Sequence, residues 1–173
     1  REARSSSGAA AAEARLLHLA SMQRMNTDAR KGIFVAITGA DDYLDAFERL
    51  QKLRVPKAQR AEVVRVVLHC CGQEKVYNRF YALLASRLCS AHREYRFAFH
   101  FALWDTFKEL KELPLRRAAN VSKLLAEMLG RGALPLTVLK NVAWHKLGER
   151  GIFFWQVCFV GLLGVGSKAL QLA

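Results

Sequence analysis

Residues 93–110 read Arg93-Glu94-Tyr95-Arg96-Phe97-Ala98-Phe99-His100-Phe101-Ala102-Leu103-Trp104-Asp105-Thr106-Phe107-Lys108-Glu109-Leu110. Tyr95, Phe97, Phe99, Phe101 and Leu103 alternate, which is the period of a half-buried strand. Phe97, Phe101, Trp104 and Phe107 recur at the period of a helix. Length decides between the two. No Gly or Pro lies between Glu74 and Pro114, and a strand carried on to Leu110 would be too long for an ordinary sheet. The stretch is therefore expected to be a long buried helix, with Phe97, Phe101 and Trp104 in the core.

Helical signals continue on both sides. Asn26-Thr27-Asp28 is an N-cap signature ahead of Ile33, Phe34 and Ile37, and Gly39 ends that helix. Asp41-Asp42 opens the next, whose apolar residues Tyr43, Leu44, Phe47, Leu50 and Leu53 are expected to face inward. Pro56 breaks the chain before a helix carrying Val63, Val64, Val67, Leu68, Cys70 and Cys71. Asn78 caps another, with Phe80, Leu84 and Leu88 on one stripe. After Pro114 a helix bears Val121, Leu124, Leu125, Met128 and Leu129, stopped by Gly130 and Gly132. Pro135 is placed to start a helix through Leu136, Leu139, Val142 and Ala143. A last, buried helix follows from Ile152. It is too short and too interrupted by Gly and Gln156 to read as a membrane span. Eight or nine helices with short breaks predict an all-α solenoid of antiparallel helix pairs. Residues 1–12, rich in Ser and Ala, are expected to be a linker or tail, 13–166 the folded domain and 167–173 a C-terminal tail. The absence of a starting Met suggests a piece of a longer protein.

The 173 residues carry 27 Lys and Arg against 15 Asp and Glu, a formal charge of +12. Such an excess favours an acidic partner. The four cysteines form no Cys-x-x-Cys pair, which argues against a zinc ribbon and for a reducing compartment. His69 beside Cys70 and Cys71 is a poor chelate, so no metal or other cofactor is expected. No phosphate-binding glycine loop, nucleophile elbow or His-Glu-x-x-His helix occurs. The chain is expected not to be an enzyme and to take no small-molecule substrate.

Two charged groups are candidate contact sites. Asp41, Asp42, Asp45 and Glu48 form an acidic cluster on a basic chain. Acids belong in a first helical turn, as caps and complements to the helix dipole; the other reading is a docking surface for a basic partner. Asp41 and Asp42 are assigned to capping, which leaves Asp45 and Glu48 to project outward. Arg79, Arg87, Arg93, Arg116, Arg117, Lys123 and Arg131 are candidates for RNA-backbone contact. No aromatic RNA-binding motif accompanies them, so the contact would be to phosphate and sequence-tolerant.

Four stretches carry a resemblance. They are Arg24-Met25-Asn26-Thr27-Asp28, Asp41 to Glu48, Cys70-Cys71-Gly72-Gln73-Glu74-Lys75-Val76-Tyr77-Asn78-Arg79-Phe80-Tyr81-Ala82-Leu83-Leu84-Ala85, and Phe101-Ala102-Leu103-Trp104-Asp105. Together, over about Leu16 to Leu163, the chain resembles the MA-3 domain. This HEAT-like helical-repeat module occurs in translation initiation factor 4G and its relatives. The match is most like the nucleolar subgroup, in which an MA-3 domain follows a 4G-type middle domain. That resemblance implies a nucleolar factor of small-subunit ribosome assembly and pre-rRNA processing, working with a DEAD-box RNA helicase, assembly factors and the pre-rRNA backbone. Other MA-3 proteins imply an alternative, a translation regulator that binds an initiation-factor-4A-type helicase. The Glu74 to Tyr81 block has a structural explanation of its own, with Asn78 capping and Tyr77, Phe80 and Tyr81 packing.

Overall fold

The computed structural model describes residues 2–23 and 25–170, with side chains over 11–23 and 25–164; Arg1, Arg24 and 171–173 lie outside the described residues. Among the described residues eight α-helices follow one another: α1 (Glu2–Met22), α2 (Asp28–Thr38), α3 (Tyr43–Lys52), α4 (Arg60–Gln73), α5 (Phe80–Ala91), α6 (Arg93–Lys108), α7 (Leu115–Gly130) and α8 (Glu149–Leu170). Short 3-10 turns lie at Lys57–Gln59, Leu136–Asn141 and Trp144–Lys146. No strand occurs among the described residues. The stretch expected to be a tail, 1–12, falls largely within α1.

Local chemistry sets the boundaries. Thr27 caps α2 by accepting from the Arg30 N–H at 3.2 Å. His92, in extended conformation, separates α5 from α6 without a Gly or Pro. Gly132 takes a left-handed φ of 66° just past α7. There the Ala133 N–H reaches Met128 O at 2.9 Å and the Gly132 N–H reaches Leu129 O at 3.0 Å. This paired closure satisfies carbonyls the helix end would otherwise leave open.

The helices stack in two layers. α2, α4 and α6 pack side by side, as do α3, α5 and α7, and α4–α5 and α5–α6 join the layers. This is the HEAT-like solenoid. α4 also meets α7, and α7 makes its largest contact with α8. One core runs through the stack, with Ile33, Ile37, Val63, Val67, Leu84, Leu88, Phe99, Leu124 and Phe154 buried.

Four expectations are corrected. In α6 the buried residues are Tyr95, Phe99 and Leu103. Phe97 and Phe101 are 51% and 59% exposed, and Trp104 is only half-buried. An aromatic side chain falls on every side of this helix, so periodicity alone could not say which stripe α4 and α5 would cover. In α3, Ala46 and Leu50 hold the core, Tyr43 and Phe47 are half-buried, and Leu44 is 45% exposed. Pro135 opens 3-10 turns rather than an α-helix. In α8 one stripe of Phe154, Trp155 and Cys158 is buried, while Ile152, Val160 and Leu163 face outward. No helix among the described residues is long and apolar enough to cross a membrane.

Candidate functional site

The acidic cluster at the start of α3 divides by function. Asp42 is the cap: its Oδ1 accepts from the Leu44 and Asp45 N–H groups, each at 2.8 Å. Asp45 reaches back, accepting from the Asp41 N–H at 3.0 Å. The two carboxylates thus satisfy the first turn reciprocally. Asp45 also accepts from Arg49 Nε at 2.9 Å, one turn on. That guanidinium, with the Asp41 N–H, holds the Asp45 carboxyl below its ordinary range. Asp45 is therefore committed to α3. The exposed carboxylates of Asp41 and Glu48 have no hydrogen-bond or ion-pair partner among the described residues. Leu44 lies exposed between them on the same face. The outward group is thus Asp41, Leu44 and Glu48, a corrected division of the same cluster. Sequence reasoning missed Leu44 because its spacing equals that of a core residue.

The basic candidates fall into separate groups. Arg79, Lys123 and Arg131 gather around Glu127 of α7. Arg79 Nε donates to Glu127 at 2.9 Å, Arg131 lies 3.5 Å away, and Tyr77 Oη donates at 3.2 Å. Lys123 sits 5.9 Å from the centre of the Tyr77 ring. One half-buried carboxylate thereby tempers two of these cations. Arg116 and Arg117 lie in the first turn of α7; Arg116 is exposed, while Arg117 lays its alkyl stem against Gly72 of α4. A Cβ at Gly72 would come within 2.7 Å of Arg117 Cγ, so a larger residue there would force the Arg117 stem to move. Arg87 stacks over Phe47 at 5.0 Å and Arg93 over Phe97 at 5.4 Å.

The Cys70 to Tyr81 block is scaffold. Asn78 Oδ1 accepts from the Phe80 N–H at 3.0 Å, and Tyr81 Oη donates to Glu74 at 2.9 Å. Burial pushes the Tyr77 and Tyr81 phenols up. Asn120, buried in α7, donates to Cys71 O at 3.1 Å and Glu74 O at 2.8 Å, sealing the end of α4. No local signal marks Asn120, because its partners are nearly fifty residues away. The Cys70, Cys71, Cys89 and Cys158 thiols are pushed up to about 12 by burial. Such thiols are poor nucleophiles at neutral pH. His69 hydrogen-bonds Gln23 at 3.0 Å, and its pKa is lowered by burial and by nearby Arg117. Among the described residues, no group of three or more His, Cys, Asp or Glu could hold a metal ion.

Comparison with known proteins places this architecture. The MA3 domain family model matches residues 29–135. Nucleolar MIF4G domain-containing protein 1 of Mus musculus is 42% identical over 152 residues, covering 88% of this chain and 18% of that protein. Suppressor of glycerol defect protein 1 of Schizosaccharomyces pombe is 37% identical over 169 residues, 93% of this chain and 22% of its own length. The human Pre-mRNA-splicing factor CWC22 homolog is 30% identical over 150 residues, 80% of this chain and 16% of its own. The chain spans about a fifth of the length of these relatives. With the match running from the first turn of α2 to the start of the 3-10 segment, the chain belongs to the MA3 domain family.

Proposed function

We propose that this chain is a non-catalytic helical adaptor for RNA processing. Its setting is the nucleolus, in small-subunit ribosome assembly and pre-rRNA processing, where it docks a DEAD-box RNA helicase and meets other assembly factors and the pre-rRNA backbone. Two relatives named for the nucleolus, each about 42% identical, support the setting. The carrying observation for docking is the outer face of α3. The carboxylates of Asp41 and Glu48 are exposed there without a hydrogen bond or close ion pair among the described residues, although Asp41 lies in the field of Arg49, and Leu44 is exposed with them on a chain of net charge +12. A free acidic pair around an apolar side chain suits a basic partner surface with a small apolar spot. The high pKa of all four thiols supports an adaptor rather than a thiol enzyme.

The test is Asp41→Lys with Glu48→Lys in the full-length protein, followed by helicase recovery in a pulldown and a thermal melt. These positions separate docking from folding, since Asp42 and Asp45 hold the first turn of α3. Loss of most helicase recovery with an unchanged melt is the expected result. Full recovery overturns the docking surface. A tagged full-length protein spread through the cytosol would favour the alternative, a translation regulator binding an initiation-factor-4A-type helicase.

A further inference from the structure

The outer face of α6 holds a pattern that the sequence reading assigned to the core. Arg93, Phe97, Phe101, Trp104 and Lys108 recur at intervals of four, four, three and four residues, which places them on one stripe of the helix. The stripe is about 23 Å long at the helical rise per residue. Phe97 and Phe101 are more than half exposed. Trp104 is anchored by its Nε1–H, which donates to Val138 O at 2.8 Å, and Phe101 meets its ring edge-on at 5.6 Å. Beyond Trp104 the stripe opens on a cavity of about 290 Å³ whose walls include Phe107, Lys108, Lys111 and Lys146.

The charges around the stripe favour an anion. Exposed Arg96 adds to Arg93 at one end. Glu94 is neutralised by Arg60 at 3.1 Å and Lys57 at 3.7 Å. At the other end Asp105 holds Lys108 at 2.9 Å and exposed Glu109 and Glu112 lie along the chain, while Lys111 and Lys146 have no acid within ion-pair distance among the described residues. A purely apolar helix partner would leave these cations unmatched. Open aromatic rings between cationic ends suit a polymer with flat bases and regular phosphates, because every base has a face to stack and the backbone supplies the charge. Arg93, now 5.4 Å over the Phe97 ring, is placed to meet a phosphate when a base takes that face.

We propose that the outer face of α6 is a binding site for single-stranded RNA, with bases stacked on Phe97 and Phe101 and phosphates held by Arg93 and by the lysines of the cavity. The assignment to RNA rests on the RNA-processing reading above, but the site is separate from the α3 docking face. It also differs from phosphate contact alone, because stacking demands unpaired bases.

The experiment measures fluorescence anisotropy of the 173-residue chain with labelled U12, a 12-base-pair RNA duplex and dT12, each across a salt series. Melting is monitored for every variant. Wild type should bind U12 more tightly than the duplex. Phe97→Ala and Phe101→Ala should each weaken U12 binding at least about fivefold, with melting unchanged because both rings are exposed. The double variant with Trp at both positions should keep U12 binding, whereas the double Leu variant should lose it. Equal binding of U12 by wild type and the double Leu variant overturns the stacking site. So does U12 binding no tighter than duplex; strong salt dependence in that case leaves the phosphate-contact reading standing. Much tighter binding of dT12 than U12 overturns the assignment to RNA. Failure of wild type to bind any of the three overturns the site and the phosphate reading together, and leaves α3 docking to the pulldown.

Discussion

The junction between α4 and α5 and the outer face of α6 lie in one continuous stack, yet they treat their side chains in opposite ways. At the junction the polar groups are bonded: Asn120 to two carbonyls, Tyr81 to Glu74, and Tyr77 and Arg79 to Glu127. On α6 Phe97 and Phe101 are more than half exposed, with Arg93 over the Phe97 ring. The junction holds the residues that make the sequence most recognisable, and they fix the backbone. The α6 face shares Phe101 and Trp104 with another of the recognisable stretches, and there Phe97 and Phe101 are more than half exposed while Trp104 is bonded to Val138 O. The recognisable stretch at the junction is spent on fixing the backbone, whereas the one on α6 includes a side chain left exposed.

Substitutions on α6 give the largest separation of the two roles. Phe99 is completely buried, and Phe99→Ala should destabilise the chain by about 3–5 kcal/mol through lost burial and a cavity. Phe97→Ala, two residues away, should change stability by less than about 0.5 kcal/mol. Urea titrations of both variants check this; equal destabilisation would show that the outer ring packs as tightly as the inner one. Next comes the junction itself. Asn120→Ala strands the Cys71 and Glu74 carbonyls, and should destabilise by about 2–3 kcal/mol with an unchanged urea slope. A cost under about 0.5 kcal/mol would mean that the end of α4 is held by other contacts. The smallest effect is a pH response at His69, beside the junction. Its folded pKa lies below the unfolded value because burial disfavours the charged ring. The unfolded chain therefore takes up the proton first. The His69 contribution is present above about pH 6.5 and is lost as pH falls through the folded pKa. The melting temperature should fall between about pH 7.5 and 5.5, and His69→Gln should fall less. This window lies above the one in which the lowered Asp45 and Glu62 carboxyls titrate.

What could be read directly was local. Thr27, Asp42 and Gly132 act within four residues of themselves, so capping chemistry placed three helix ends. The helix at 93–108 was legible from its length. Its buried stripe was not, since Tyr95, Phe97, Phe99 and Phe101 are equally apolar and the choice belongs to α4 and α5. The acidic cluster was visible as a group. Its division was hidden because Asp45 is committed by Arg49 and by the Asp41 N–H, which only the folded first turn brings together. Likewise Arg79 and Arg131 looked equally free until α5 and α7 converged on Glu127.

The close approach of α7 and α8 has a bearing on where such a domain can be cut. Ser122 donates its hydroxyl to Phe154 O, and a Cβ at Gly161 would stand 3.0 Å from that of Ala126. The small side chains of Ser122 and Ala126 therefore let the two helices nearly touch along their backbones. Phe154 and Cys158 are wholly enclosed, and Trp155 nearly so. A protein ending at residue 135, where the family match ends, would leave the Ser122 and Ala126 side of α7 without the helix that α7 packs against most extensively. The packed unit is therefore longer than the stretch that the family model matches.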